Sequence, residues 1–323
     1  MFRMWLFHEV ILSYSNTIIQ YDNMIKGGFM VCGIDVGFGW TKVVSDDNSF
    51  KFPSWIAYHT PTPVSELDIV KYGNRDYVVG SDVKYEAQRI EISGITELIN
   101  YFPVFLKYVE SVTGKLDRIV TGVPVVYKDH LDNLKSIIAD NGVQCDILPQ
   151  GVGIFIDNQN RLQEEVLVLD IGYNTLDYFI LVKKGDVWRK KRGNTVEKFG
   201  VIRAVDVFRS TIPDKVSYAK NFSLSRLLEI FEKGTLLFDA EPVDLGSIKK
   251  AALEEYAEMV KTRLRDEIGD SIYNMESVVI AGGGANIVSV DIFKNSRVII
   301  PQNPEYSQAR GYLKHGHELW GEE

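Results

Sequence analysis

Two segments of this chain echo one another: Asp35-Val-Gly-Phe-Gly-Trp-Thr-Lys42 and Asp170-Ile-Gly-Tyr-Asn-Thr-Leu-Asp177, preceded by short apolar runs at 31–34 and 166–169. A strand ending in Asp, a glycine-containing turn and a returning strand put a carboxylate and several backbone N–H groups at one hairpin tip. Two such tips facing each other can grip a triphosphate and its metal from both sides. The repeat also constrains the fold. A chain that restarts the same unit at its midpoint builds two similar halves, each with its own sheet.

The spacing of apolar residues fills in those halves. Strands are expected within 50–58 and over 77–80, then one helix carrying Leu98, Phe102, Phe105, Val109 and Val112, with Pro103 tolerable only in its first turn. A strand at 118–121, a helix at 128–140 and a strand at 143–148 lead into Pro149-Gln-Gly-Val-Gly153. The second half restarts with the strand at 166–169, the hairpin and a strand at 178–182. Helices follow at 201–210 and 248–268, the latter with Leu253, Tyr256, Val260, Leu264 and Ile268 on one side. A strand at 277–281, a helix at 287–293, a strand at 297–300 and a helix at 304–319 complete a duplicated two-domain α/β protein with mixed sheets.

Bulk composition removes several classes. With 323 residues, 45% apolar and 25% charged, the chain is long enough for two packed domains. A net charge of −8 disfavours direct nucleic-acid binding through many phosphate contacts, so any link to DNA is expected to need an adaptor. Cys32 and Cys145 lie far from any metal-binding spacing and read as core residues of a reduced, cytoplasmic protein. No apolar run approaches the roughly 18 residues of a membrane span. Residues 1–29 read as translated upstream sequence, because Lys26-Gly-Gly28 can be spelled by a ribosome-binding codon string just before Met30. Intact-mass measurement of the protein made from its own locus checks this expectation.

Within the first motif, Gly37 and Gly39 remove side chains where backbone must approach phosphate oxygens, and Lys42 reaches the same oxygens as a point charge. In the second, Gly172 repeats the glycine and Thr175 offers a hydroxyl. Asp35 and Asp170 would face a common Mg²⁺, held through its hydration shell. Turn stabilisation by each aspartate separately is the plainer alternative, but it leaves the duplication unexplained. Gly282-Gly283-Gly284-Ala-Asn286, after an apolar strand, offers bare backbone for a nucleobase or sugar, or else a tight turn. Gln150 either orients water for attack on a γ-phosphate or caps the helix expected over 151–157. A Rossmann site lacks its third glycine at 151–153, and no phosphate loop of the Gly-x-x-x-x-Gly-Lys type occurs. The five histidines are scattered and suggest no catalytic dyad.

In this order the motifs resemble those of the actin-like ATPases, especially the ParM/StbA plasmid-segregation group and its archaeal relatives, over residues 30–319. Residues 35–42 and 170–177 resemble the two phosphate motifs, 149–153 and 305–312 the two connecting motifs, and 282–286 the adenosine motif. The resemblance implies a ribonuclease H-like duplicated fold: an extension at 1–29, domain I at 30–165 completed by the C-terminal helix within 304–323, and domain II at 166–303. It implies a cleft that binds ATP, with GTP as the alternative, and Mg²⁺. Gln150 and Asp170 take the catalytic places, Thr41 falls in the first phosphate motif, and Gly200 matches the glycine before a helix lining the adenine pocket. Tyr173-Asn174 departs from the usual pattern, although Asn174 tolerates left-handed backbone. The function implied is a nucleotide-gated filament of copies of this chain, serving plasmid or phage DNA segregation through a DNA-binding adaptor. Two rivals stand beside it: a small-molecule kinase of the same superfamily, with Asp177 as its base, and a non-polymerising nucleotide switch.

Overall fold

The computed structural model describes residues 30–321 except 62–66, 240, 287–292 and 294–295. The expected extension at 1–29 and all of the expected helix at 287–293 but Phe293 lie outside the described residues.

Strands β1 (Val31–Val36), β2 (Trp40–Val44) and β3 (Ser49–Pro53) form an antiparallel meander. A small sheet follows, built from β4 (Ile56–Tyr58), β5 (Ile69–Tyr72), β6 (Arg75–Val79) and β7 (Gln88–Ile90). Helices α1 (Ile95–Asn100) and α2 (Phe102–Thr113) lead to β8 (Arg118–Val123), α3 (Leu131–Asp140) and β9 (Gln144–Pro149). Strands β8 and β9 join the meander in parallel, giving the order β3-β2-β1-β8-β9.

Helix α4 (Val152–Asn158) carries the chain across to β10 (Glu165–Ile171), β11 (Thr175–Lys184) and β12 (Val187–Glu197). Helices α5 (Val201–Thr211) and α6 (Leu224–Lys233), an isolated hairpin of β13 (Thr235–Phe238) and β14 (Glu241–Asp244), and α7 (Gly246–Ile268) follow. Then come β15 (Ser277–Ala281), β16 (Arg297–Ile299) and α8 (Ser307–Trp320). The second five-stranded sheet has the order β12-β11-β10-β15-β16, the same plan as the first: a meander, then two parallel additions. The duplicated α/β architecture read from the sequence is therefore the one that forms.

The central strands explain their own composition. Every residue of β1 is buried, because neighbours flank both its edges and side chains cover both its faces. The single helix expected across 98–112 is instead two. The chain leaves helical geometry at Tyr101 (φ −98°, ψ 2°) and restarts with Pro103 in the first turn of α2, where the missing N–H costs nothing. Strand β12 escapes sequence reading because Arg189–Arg192 gives no apolar alternation; the strand lies at the sheet edge and is largely exposed. Helix α6 was also unforeseen, although Ser223 caps the Arg226 N–H at 3.4 Å and Gly234 (φ +67°) ends it, which is a legible start-and-stop pair. Among the described residues no helix is long and apolar enough to cross a membrane.

Helix α8 returns to the first half and packs on β1 and β8, while also crossing α4. At that crossing the two backbones touch: a Cβ on Gly311 would lie 1.7 Å from the Gly153 carbonyl oxygen. Beside it, the Asp157 carboxylate accepts from Arg310 Nη2 at 2.8 Å, Ser307 Oγ at 2.7 Å and Lys314 Nζ at 2.7 Å. Burial works against the Asp157 charge, but these three donors win and hold its carboxyl below the usual range. A depressed carboxyl stabilises the fold above its unfolded pKa and loses that contribution as pH falls through its folded value. Asp157→Asn is thus expected to cost about 2 kcal/mol at pH 7, with the gap to wild type shrinking below about pH 4. Denaturant unfolding of both proteins across that range measures it.

Candidate functional site

The two hairpin tips meet across a cavity of about 440 Å³ between the two halves, bordered by Asp35, Lys42, Gln150, Asp170, Asp177 and Gly282 among others. Each tip is closed by its own backbone bond: the Gly37 N–H donates to the Trp40 carbonyl at 3.1 Å, and the Gly172 N–H to the Thr175 carbonyl at 2.9 Å. Ladder register then decides the charges. Lys42 lies directly opposite Asp35, and its Nζ stands 2.9 Å from Oδ2. In the second tip the residue opposite Asp170 is Asp177, another acid. The repeats share a backbone but carry opposite charge at one equivalent place.

This asymmetry sets the electrostatics. The Asp170 carboxyl is pushed up to about 7, first by burial and then by the neighbouring charges of Asp177 and Asp35, with Lys42 opposing. Burial also raises Asp177, although hydroxyls of Thr195 and Thr175 donate to its two oxygens, the latter at 2.8 Å. For Lys42 burial disfavours the ammonium, but the charge and hydrogen bond of Asp35 outweigh it and hold the pKa above the ordinary lysine value. Three acids against one lysine make a site that repels a bare polyphosphate and favours a cation. Among the described residues no cluster of three or more His, Cys, Asp or Glu side chains is arranged to grip a metal directly. Asp35 and Asp170 are the carboxylates on opposite tips that could meet a hydrated cation through its waters.

The structure brings Asp35, Gly37, Gly39, Lys42, Gln150, Asp170, Gly172, Asn174, Thr175, Gly282 and Gly283 to the cavity. Four residues expected there do not border it. Thr41 is fully buried and shares a 2.9 Å hydrogen bond with Ser54, pinning β2 from behind. Gly200 supports the second tip from outside: its Cβ would lie 2.4 Å from the Gly172 carbonyl oxygen, so glycine is required there for packing. Gly284 is likewise pressed against Ile171, where a Cβ would stand 2.4 Å from Cγ2. Asn286 is exposed beyond the glycine turn.

For Gln150 the capping alternative fails. The N-cap of α4 is Gly151, and no side chain of that residue caps the helix. Instead Gln308, from α8, accepts from the Gly151 and Ile154 N–H groups at 3.1 Å each through Oε1. The Gln150 side chain is left to border the cavity, and Gln308 is a site residue that local sequence offered no means of finding. Helix α6 adds Leu228, Glu229 and Glu232 to the far wall; its cap signals were readable, but its approach to the cleft was not.

A two-domain α/β molecule with duplicated sheets and paired acidic hairpin tips opening on a cleft belongs to the class of duplicated two-domain α/β folds. A family model described as "Actin like proteins N terminal domain" matches residues 33–153, and one described as "Archaeal actin homologue MreB-like, C-terminal" matches 168–292. The chain belongs to the actin-like proteins. Among solved structures it is similar to a 15-stranded ParM filament from Clostridium botulinum, at 19% identity and TM-score 0.71, covering 90% of this chain and 100% of that one. An archaeal actin homolog in complex with ADP aligns at 18% identity and TM-score 0.70 with the same coverage. A MamK double helical filament aligns at 18% and 0.65, again over 90% and 100%. No curated protein matches the chain.

Proposed function

We propose that the cleft binds ATP, with GTP as the alternative nucleotide, and hydrolyses it. We further propose that the bound nucleotide governs assembly of copies of this chain into filaments that segregate plasmid or phage DNA in the cytoplasm through a DNA-binding adaptor. The observation that carries this reading is the pair of acidic tips, Asp35 and Asp170, opening on one cavity with Lys42 between them. Filaments and an ADP complex among structures of the same fold support it.

In this reading the backbone N–H groups at 38–39 and 173–174 approach the phosphates, those of Gly37 and Gly172 being spent on closing the tips, and Lys42 neutralises part of their charge. Mg²⁺, held by Asp35 and Asp170, would supply the positive charge that offsets the phosphates and the acids together. Gln150, freed from capping, orients the attacking water with a neutral amide. Closing the cleft favours assembly only if nucleotide binds the closed, assembling form better than the open one. Both oxygens of Asp177, the base of the kinase alternative, accept from threonine hydroxyls, which supports a structural role for it over a catalytic one.

Sedimentation with and without ATP tests the whole: the protein is expected to pellet with ATP and stay in solution without it. Pelleting that ignores nucleotide would sink the reading. Gln150→Ala is expected to lower kcat roughly a hundredfold with KM little changed, since the amide acts on water rather than on bound nucleotide. Steady-state phosphate release measures this, and an unchanged kcat would remove Gln150 from the mechanism.

A further inference from the structure

An acidic chain carries one concentrated basic patch. Between 183 and 192 stand six cations and a single acid, in a protein whose net charge is −8. They flank the turn joining β11 to β12, on the last two residues of β11 and the exposed stretch of β12, which is the edge strand of its sheet. Lys191 is paired with Glu165 at 2.9 Å, and Arg192 lies near Glu267. Lys183, Lys184 and Arg189 are exposed, and no acid of the described residues forms an ion pair with them. An open strand edge studded with uncompensated cations both resists pairing with its own kind and attracts an acidic partner.

The same chain supplies a surface of the opposite character. The β13–β14 hairpin belongs to neither main sheet. At its tip Leu237 is 64% exposed, beside half-exposed Tyr218, whose hydroxyl donates to the Leu237 carbonyl at 3.2 Å. Beside this apolar spot stand the exposed acids Asp239 and Glu241. Apolar centre and charged rim are the anatomy of a docking patch.

We propose that the basic β11–β12 turn of one copy docks on the acidic β13–β14 tip of a second copy, and that this contact is the one that extends the filament. The proposal rests on the self-assembly reading above. Because two different patches meet, each contact leaves an acidic tip at one end and a basic turn at the other, and a third copy can add without limit. Charge complementarity selects the second copy over DNA, since DNA would use the basic turn and leave the acidic tip without a role.

Charge reversal tests this with ATP-dependent sedimentation of the full chain. Lys184→Glu with Arg189→Glu is expected to raise the concentration needed for pelleting at least tenfold, and Asp239→Lys with Glu241→Lys to do the same. Thermal unfolding and ATP titration calorimetry are expected to match wild type for both. Mixed in equal amounts, the two variants present complementary charges at every contact, so pelleting is expected to return. Raising salt from 0.15 M to 1 M is expected to weaken wild-type assembly severalfold, as screening shortens from about 8 Å to about 3 Å. Variants that pellet like wild type, or a mixture that stays soluble, overturn the contact alone. Loss of DNA retention on a gel by the Lys184→Glu, Arg189→Glu variant with assembly intact reassigns the basic turn to nucleic acid, and also overturns it. A wild-type protein that never pellets with ATP removes the underlying reading, and this contact with it.

Discussion

Asp170→Asn is expected to make the metal-free protein more stable while depriving it of its response to magnesium ATP. In the metal-free molecule the Asp170 carboxyl sits at about 7 because burial, Asp177 and Asp35 all disfavour its charge. The native state therefore holds a proton that the unfolded chain releases near pH 4, and stability falls as pH rises from about 4 to about 7. At pH 8 the ionised Asp170 costs on the order of 4 kcal/mol. Asparagine removes that cost, so thermal unfolding in EDTA is expected to show the variant above wild type at pH 8, with the two converging toward pH 4. Asp177, raised by the same burial, leaves a residual slope in both proteins. The converse holds with ligand. Magnesium ATP is expected to raise the Tm of wild type and barely that of the variant, with ATPase activity down roughly a hundredfold or more. A variant that is less stable than wild type at pH 8 without metal, or that binds magnesium ATP equally well, would contradict the role given to Asp170.

The second large effect is expected at the helix crossing. Gly311→Ala drives a methyl to 1.7 Å from the Gly153 carbonyl oxygen and 2.4 Å from its carbon. No flexible side chain can yield there, since both partners are backbone, so α8 and α4 must separate. A cost of about 3 kcal/mol or more is expected, a fall of roughly 6–12 °C in Tm. Gly283→Ala provides the contrast. Nothing lies within 4 Å of a Cβ at that position, yet the residue borders the cavity. Its stability is expected to match wild type while ATP affinity drops, as measured by calorimetry. If Gly283→Ala instead lowers Tm as much as Gly311→Ala does, the division between glycines kept for the fold and glycines kept for ligand is mistaken.

These two glycines show how unevenly the site could be read in advance. All of 282–284 were expected to face ligand, but Gly284 lies against Ile171 and Gly283 alone has open space beside it. Identity of residue says that backbone must come close to something; only the fold says whether that something is protein or ligand. Thr41 makes the same point, because alternation along β2 turns it inward to Ser54 while Lys42 turns to the cleft. Gln150 stood between two roles until Gln308, 157 residues beyond Gly151, took the helix cap. The missing helix break at Tyr101 was readable from Pro103, and the missing helix α6 from Ser223 and Gly234.

By itself the sequence determined what depends on neighbours along the chain: the strand, turn and strand at 35–42 and again at 170–177, the apolar runs feeding them, and so the repeated sheet plan. These follow from short-range backbone geometry and from periodicities that a local window contains. Tertiary structure alone decided that Lys42 and Asp177, the ends of the two repeats, meet in one cavity, that Asp170 is therefore left short of a cation, and that α8 closes on α4 through glycine. Burial, Coulomb energy and van der Waals contact depend on distances between residues far apart in sequence, and those distances exist only after the chain has folded.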